Sequence, residues 1–161
     1  MTKSEMKEHT CCFTGHRKIP SEEIPMVKKK LRDALVECIK RGYQYFGSGG
    51  ALGFDLLAAW EALKLISEYP HIKLILVLPC RNQTRWWRET DIHEYERIKS
   101  KADKVFYIAE QYYSGCMHKR NRHLVDNNSL CIYYLTQQTG GTAYTVKYAE
   151  KYGVKVWNIA K

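Results

Sequence analysis

The stretch Gly47-Ser48-Gly49-Gly50-Ala51-Leu52-Gly53-Phe54-Asp55 brings glycines and one carboxylate together between two contrasting segments. Before it runs a strand-like Tyr43-Gln44-Tyr45-Phe46. After it, apolar residues recur at Leu52, Leu56, Ala59, Leu63 and Ile66, the spacing of one helix face. A strand, a glycine-dense turn and a helix N-terminus together favour an anion. Glycines at 47, 49, 50 and 53 let backbone amides come close to a ligand, and the helix dipole favours phosphate. Ser48 adds a hydroxyl. Asp55 falls in the first helical turn, where it either caps amides or reaches a ribose hydroxyl. The plain alternative is a tight turn whose glycines serve packing alone. The spacing is not that of a dinucleotide fingerprint, because the residue five after Gly47 is Leu52. The strand after the helix ends in Pro79-Cys80-Arg81, with no acid for a ribose diol, which disfavours a conventional NAD site. No cofactor is named by these residues.

A second glycine turn, Gly140-Gly141-Thr142, opens the last main helix. Thr14-Gly15-His16-Arg17 ends the first strand with a cation. In Cys80-Arg81-Asn82-Gln83-Thr84-Arg85-Trp86-Trp87-Arg88, basic residues interleave with aromatics, which suits phosphate contact and base stacking. At least one of the two tryptophans is expected to anchor its loop on the body instead. Arg120 and Asn121 lie in the basic run Met117 to His123, whose plain alternative is a solvated helix face. His16, His118 and His123 have no metal-ligand spacing, so no metal site is expected.

The elements that position these groups alternate along the chain. Strands are expected at Thr10 to Thr14, Tyr43 to Phe46, Ile72 to Leu78, Lys104 to Ile108, Leu130 to Leu135 and Val154 to Ile159. Helices are expected around Val27, Leu31, Leu35 and Cys38, then from the Gly47 turn to Pro70, Asp91 to Ala102, Met117 to Asp126, and Gly140 to Gly153. This rhythm predicts an α/β fold: a single Rossmann-like domain over residues 1–161, its doubly wound, mainly parallel sheet carrying helices on both faces. Ligands in such folds bind beyond the C-terminal ends of the strands, where all of the loops above converge.

A net charge of +9, from 26 basic against 17 acidic residues, points to an anionic partner. The charged start, Met1 to Glu8, lacks the apolar core of a signal peptide, and no apolar run is long enough to span a bilayer. A cytoplasmic protein with no membrane partner is expected, its six cysteines kept as thiols.

Taken together, Phe13-Thr14-Gly15-His16-Arg17, the Gly47 to Asp55 turn, Pro79 with Gln83 and Trp87, Arg120-Asn121 with Val125-Asp126, and Gly140-Gly141-Thr142 resemble the SLOG superfamily. The superfamily takes its name from Smf/DprA and Lonely Guy, and the nearest match is its YpsA-like family of short proteins. The resemblance covers almost the full chain and implies a Rossmann-like domain binding nucleotides or nucleotide-derived ligands. Its enzyme branch cleaves the base from a nucleoside monophosphate, and Met117-His118-Lys119-Arg120 is similar to that branch's arginine motif. That branch carries a glutamate on the helix after its glycine-threonine motif. Here the helix runs Ala143-Tyr144-Thr145-Val146-Lys147-Tyr148-Ala149, and its first acid is Glu150. Lys147, in the aligned register, would oppose an oxocarbenium ion.

The expected function is therefore binding of a nucleotide-like anion in a sensor or regulatory role. Gly47, Ser48, Gly49, Gly50, Gly53, Gly140, Gly141 and Thr142 would hold phosphate, beside Thr14, Gly15 and His16. Arg17 and Arg120 would neutralise charge, Asp55 and Asn121 would contact sugar or base, and Gln83 and Trp87 would complete the wall. Arg120 is expected to be removable without loss of the fold. Two alternatives stay open: an N-glycosidase using Asp55 and Arg120 as catalytic groups, and DprA-like binding of single-stranded nucleic acid. Self-association is open as well.

Overall fold

The structure is a computed structural model that describes residues 2–160. Six strands, β1 (Thr10–Gly15), β2 (Tyr45–Ser48), β3 (Lys73–Cys80), β4 (Lys104–Ala109), β5 (Leu130–Tyr134) and β6 (Lys155–Asn158), form one sheet. Their order is β4-β3-β2-β1-β5-β6, and every neighbouring pair is parallel. The expected α/β, Rossmann-like architecture is what the chain adopts.

The helices are α1 (Lys3–Glu8), α2 (Ile24–Lys40), α3 (Phe54–Leu65), α4 (Glu89–Lys101), α5 (Cys116–Asp126) and α6 (Gly141–Lys151). Val27, Leu31 and Leu35 of α2, Phe54 and Ala58 of α3, and Tyr95 and Ile98 of α4 share one core with Cys11, Phe13 and Leu76 of the sheet. Leu124 and Val125 of α5 and Ala149 of α6 form a second core with Cys12, Val77 and Cys131. The sheet is thus covered on both faces, and adjacent Cys11 and Cys12 enter different cores because side chains alternate along a strand. Each fully buried Leu or Phe contributes roughly 1.5–3 kcal/mol. From β1 the chain builds outward to β4 through α2, α3 and α4. It then returns through α5 to the other side of β1, so the direction of strand order reverses between β1 and β5.

Several local features differ from the sequence reading, and α3, expected to run to Pro70, ends at Leu65. The second strand was expected at Tyr43 to Phe46 but spans Tyr45–Ser48, with Gly47 paired to Ile75 and Ser48 to Leu76 of β3. Gly47 has no room for a side chain because α5 crosses above it: a Cβ there would stand 3.1 Å from Leu124 Cδ2. The short α1 gives no periodic signal. It is closed at its start by Thr2, whose hydroxyl accepts the Glu5 amide at 3.1 Å. Met1 lies outside the described residues.

Between β2 and α3 the backbone turns through Gly50 at φ 67° and Gly53 at φ 82°. A Cβ on Gly53 would lie 2.3 Å from the carbonyl oxygen of Arg17, and the Phe54 amide donates to the His16 carbonyl at 3.1 Å. The loop after β1 is therefore pressed, backbone on backbone, against the start of α3. Gly53→Ala combines an unfavourable φ with this clash and should cost at least about 2 kcal/mol in urea unfolding. Gly140→Ala, whose φ of 102° and ψ of −178° suit glycine alone but whose Cβ would meet no atom within 4 Å, should cost about 1–3 kcal/mol from backbone strain without any clash.

Candidate functional site

The reversal between β1 and β5 opens a cleft of about 410 Å³ at the C-terminal ends of these strands. Thr14, Gly15, His16 and Arg17 come to it from β1 and the loop behind it. Ala51 and Asp55 come from the glycine corner, Met117, His118, Arg120 and Asn121 from α5, and Gln137, Thr139, Gly140, Gly141 and Thr142 from the entry to α6. The expected ligand edge thus gathers side chains from four separate parts of the chain.

Arg120 is the buried cation of this site, only 4% exposed. Its Nη1 donates to the Gly49 carbonyl, and its Nε donates to Asn121 Oδ1 at 2.7 Å. A Cβ on Gly49 would stand 2.6 Å from Nη1, so the guanidinium lies flat on bare backbone. This burial argues against the expectation that Arg120 can be removed without loss of the fold. Its loss would leave the Gly49 carbonyl without this donor and the Cβ space beside Gly49 unfilled.

Asp55 is 6% exposed. Its Oδ2 accepts the Ala51 amide at 3.4 Å, while its buried Oδ1 has no hydrogen-bond partner. Burial raises its carboxyl to about 6, outweighing the opposite pull of Arg120, of the Ala51 amide and of Arg17. The same burial pushes Arg120 down from its ordinary value, against the attraction of Asp55. His16 accepts the Thr136 amide on Nε2 at 2.9 Å and meets Tyr134 edge-on at 5.7 Å, stitching the loop after β1 to the end of β5. That bond requires an unprotonated Nε2, and burial lowers the His16 pKa accordingly.

The two glycine turns do different things. Gly47 lies under Leu124, Gly49 under Arg120, Gly50 against Leu78, where a Cβ would stand 2.5 Å from Cδ2, and Gly53 against Arg17. None of the four lines the cleft. Ser48 is turned inward, donating to the Asp55 carbonyl at 2.8 Å. At the second turn nothing lies within 4 Å of a Cβ on Gly140 or Gly141, and no side chain caps α6. The first-turn amides of α6 therefore face the cleft without a partner side chain. Gln83 and Trp87 also stand apart: Gln83 reaches the Tyr95 hydroxyl at 3.5 Å, and Trp87 packs edge-to-face on Tyr95 at 5.3 Å. Lys147 and Glu150 line a separate hollow with Tyr133 and Asn158, so Lys147 does not oppose charge in the cleft. Gln137 and Thr139 were not named singly, though the segment Thr136 to Thr142 that holds them is one of those expected at the ligand edge. The signal for them was their place in the short link between β5 and α6, all of which must lie on the ligand edge.

The family model YpsA, described as the YspA SLOG family, matches residues 11–159. The chain belongs to the YpsA SLOG family. Family relatives include a UPF0398 protein of Halalkalibacterium halodurans, 30% identical over 131 residues, or 80% of this chain and 69% of that protein. The chain is 28% identical over 148 residues to the uncharacterized SPbeta prophage-derived protein YoqJ of Bacillus subtilis, covering 83% of this chain and 86% of that one. In fold it is similar to DNA processing protein A of Streptococcus pneumoniae, with a TM-score of 0.67 at 18% identity. The Helicobacter pylori counterpart gives the same TM-score at 20% identity and is described as binding single-stranded DNA. The chain spans 50% and 66% of those two proteins, which cover 94% and 95% of it. As a member of the YpsA SLOG family the chain shares a fold with these proteins, and its cleft stands on its own residues. Among the described residues, no His, Cys, Asp and Glu side chains gather in a group able to hold a metal, and no helix is long and apolar enough to cross a membrane.

The Asp55 carboxyl carries a pH dependence of stability. Because its folded-state value lies above the unfolded 3.8, its contribution is complete below about pH 4 and is lost as the pH rises through about 6. The stability difference between the wild type and Asp55→Asn, from urea unfolding, should change by about 2 kcal/mol between pH 4 and pH 7. A difference constant with pH would mean that Asp55 titrates as an ordinary carboxylate.

Proposed function

We propose that this cleft binds the sugar-phosphate portion of a nucleotide or nucleotide-derived ligand, in a sensing or regulatory role. The observation that carries this reading is the pairing of opposite needs in one cleft. Asp55 Oδ1 is a buried acceptor without a donor, and the start of α6 offers amide donors without an acceptor. A ribose hydroxyl supplies the first and a phosphate the second. Arg17, exposed on the cleft wall, adds a charge-assisted bond to phosphate. The Helicobacter pylori relative's single strand presents the same nucleotide unit, which supports this ligand class.

The arrangement favours binding over turnover. Base cleavage from a nucleoside monophosphate calls for a carboxylate that stabilises the ribosyl cation and a base that activates water. Asp55 is the one carboxylate lining the cleft, and its Oδ2 already holds the Ala51 amide.

Arg17→Ala should weaken AMP or ADP-ribose binding by about ten- to a hundredfold in calorimetric titration. The exposed position of Arg17 should leave the unfolding midpoint unchanged. An unaltered dissociation constant would remove the phosphate from this wall. Incubation with AMP, GMP or CMP should release no free base. Sustained release that disappears in Asp55→Asn, with binding retained, would instead make the protein an N-glycosidase.

A further inference from the structure

Beyond the cleft, toward β3 and β4, two loops form a second surface of different chemistry. The segment after β3 and the segment after β4 are fastened to each other. The Tyr112 amide donates to Asn82 Oδ1 at 2.9 Å, the Arg81 amide to the Glu110 carbonyl at 3.2 Å, and Arg81 Nε pairs with Glu110 Oε2 at 2.8 Å. Trp87 turns inward onto Tyr95, which holds the first loop to the body. Its neighbour Trp86 is turned outward and stands 85% exposed, outside both cores. Beside it the Arg85 guanidinium lies 4.5 Å over the ring of Tyr112, itself exposed along with Tyr113. Arg85 and Arg88 are exposed and have no ion-pair partner among the described residues. The only carboxylate in these two loops, Glu110, is engaged by Arg81. Glu89 and Asp91 follow in the first turn of α4.

We infer that this surface binds single-stranded nucleic acid, one base stacking on Trp86, a second on the Arg85–Tyr112 pair, and Arg88 reaching the phosphate between them. Trp86 is not an isolated exposed residue: Tyr112 and Tyr113 are exposed on the loop fastened to its own, and such a grouping of aromatics marks a surface offered to something outside the chain. Its neighbours are not the aliphatic ring expected around a protein-binding anchor. They are flat and cationic, and flat cationic groups stack unpaired bases and neutralise phosphates. The clamped loops hold the backbone beneath these side chains, and the Arg85–Tyr112 pair, in place before binding, which lowers the ordering cost. The positive net charge of +9 favours the same partner. None of these side chains lines the cleft, so the inference does not rest on the nucleotide reading.

Fluorescence anisotropy with an oligothymidylate of about twelve nucleotides tests it, over a range of salt concentrations. The wild type should bind with strong salt dependence and quenched tryptophan emission. Trp86→Ala should weaken binding by about five- to a hundredfold. Arg88→Ala should flatten the slope of log affinity against log salt by about 0.7. Mononucleotide binding should be unchanged in Trp86→Ala. Loss of oligonucleotide binding in Trp86→Ala together with absent AMP binding would support this surface while overturning the cleft reading. Oligonucleotide binding that survives Trp86→Ala, or that is absent in the wild type, would overturn the inference. So would loss of a protein partner or of self-association as the only effect of Trp86→Ala.

Discussion

The guanidinium of Arg120, buried on the bare carbonyl of Gly49, is the interaction on which the site depends. It ties α5, from one face of the sheet, to the β2–α3 corner that feeds the other face. A buried cation is tolerated only when its donors are used and an opposite charge stands near. Gly49 and Asn121 use the donors, and Asp55 supplies the field. From that one placement follow the absence of a side chain at position 49 and the wall shared by Met117, His118 and Asn121, while burial raises the Asp55 carboxyl against the pull of this same cation. Arg120 therefore builds the cleft from beneath, and Arg17 offers its charge at the surface.

The two glycine turns show how one residue type answers opposite demands. In the first, each missing side chain is replaced by a neighbour: Leu124, Arg120, Leu78 and the Arg17 carbonyl occupy the places where Cβ atoms would stand. Those glycines permit close packing at the crossing of α5, β2 and α3. In the second, Gly140 and Gly141 face open space beside uncapped helix amides. Glycine there permits approach by something from outside the chain. The same division recurs in the adjacent tryptophans, where Trp87 is spent on the core and Trp86 is displayed.

Much of this architecture was legible in the sequence. Apolar spacing in α2 and α3, the continuous apolar run of β3 and the strand–helix rhythm specify a parallel sheet covered on both faces, because backbone periodicity and burial are local properties of the chain. The rule that ligands meet such sheets at the C-terminal strand ends then selects the loops bearing Thr14 to Arg17, Asp55, Arg120, Asn121 and Gly140 to Thr142, and these do line one cleft. The sequence also shows a glycine turn before α3, an acid in its first helical turn and an arginine–aromatic loop after β3.

Only the tertiary structure decided what each of these groups faces. Whether a glycine makes room for a neighbouring side chain or for a ligand depends on atoms far away in the chain, as Leu124 and Arg120 are from Gly47 and Gly49. Whether Arg120 is a surface charge or a buried clamp depends on how α5 crosses the sheet, and a basic helix pattern does not record that crossing. Gln83 and Trp87 went to Tyr95, and Lys147 went to another hollow, because helix packing assigned those directions. Local propensity determines which elements form and in what order. Burial and charge are long-range quantities, set only when elements distant in sequence are brought into contact.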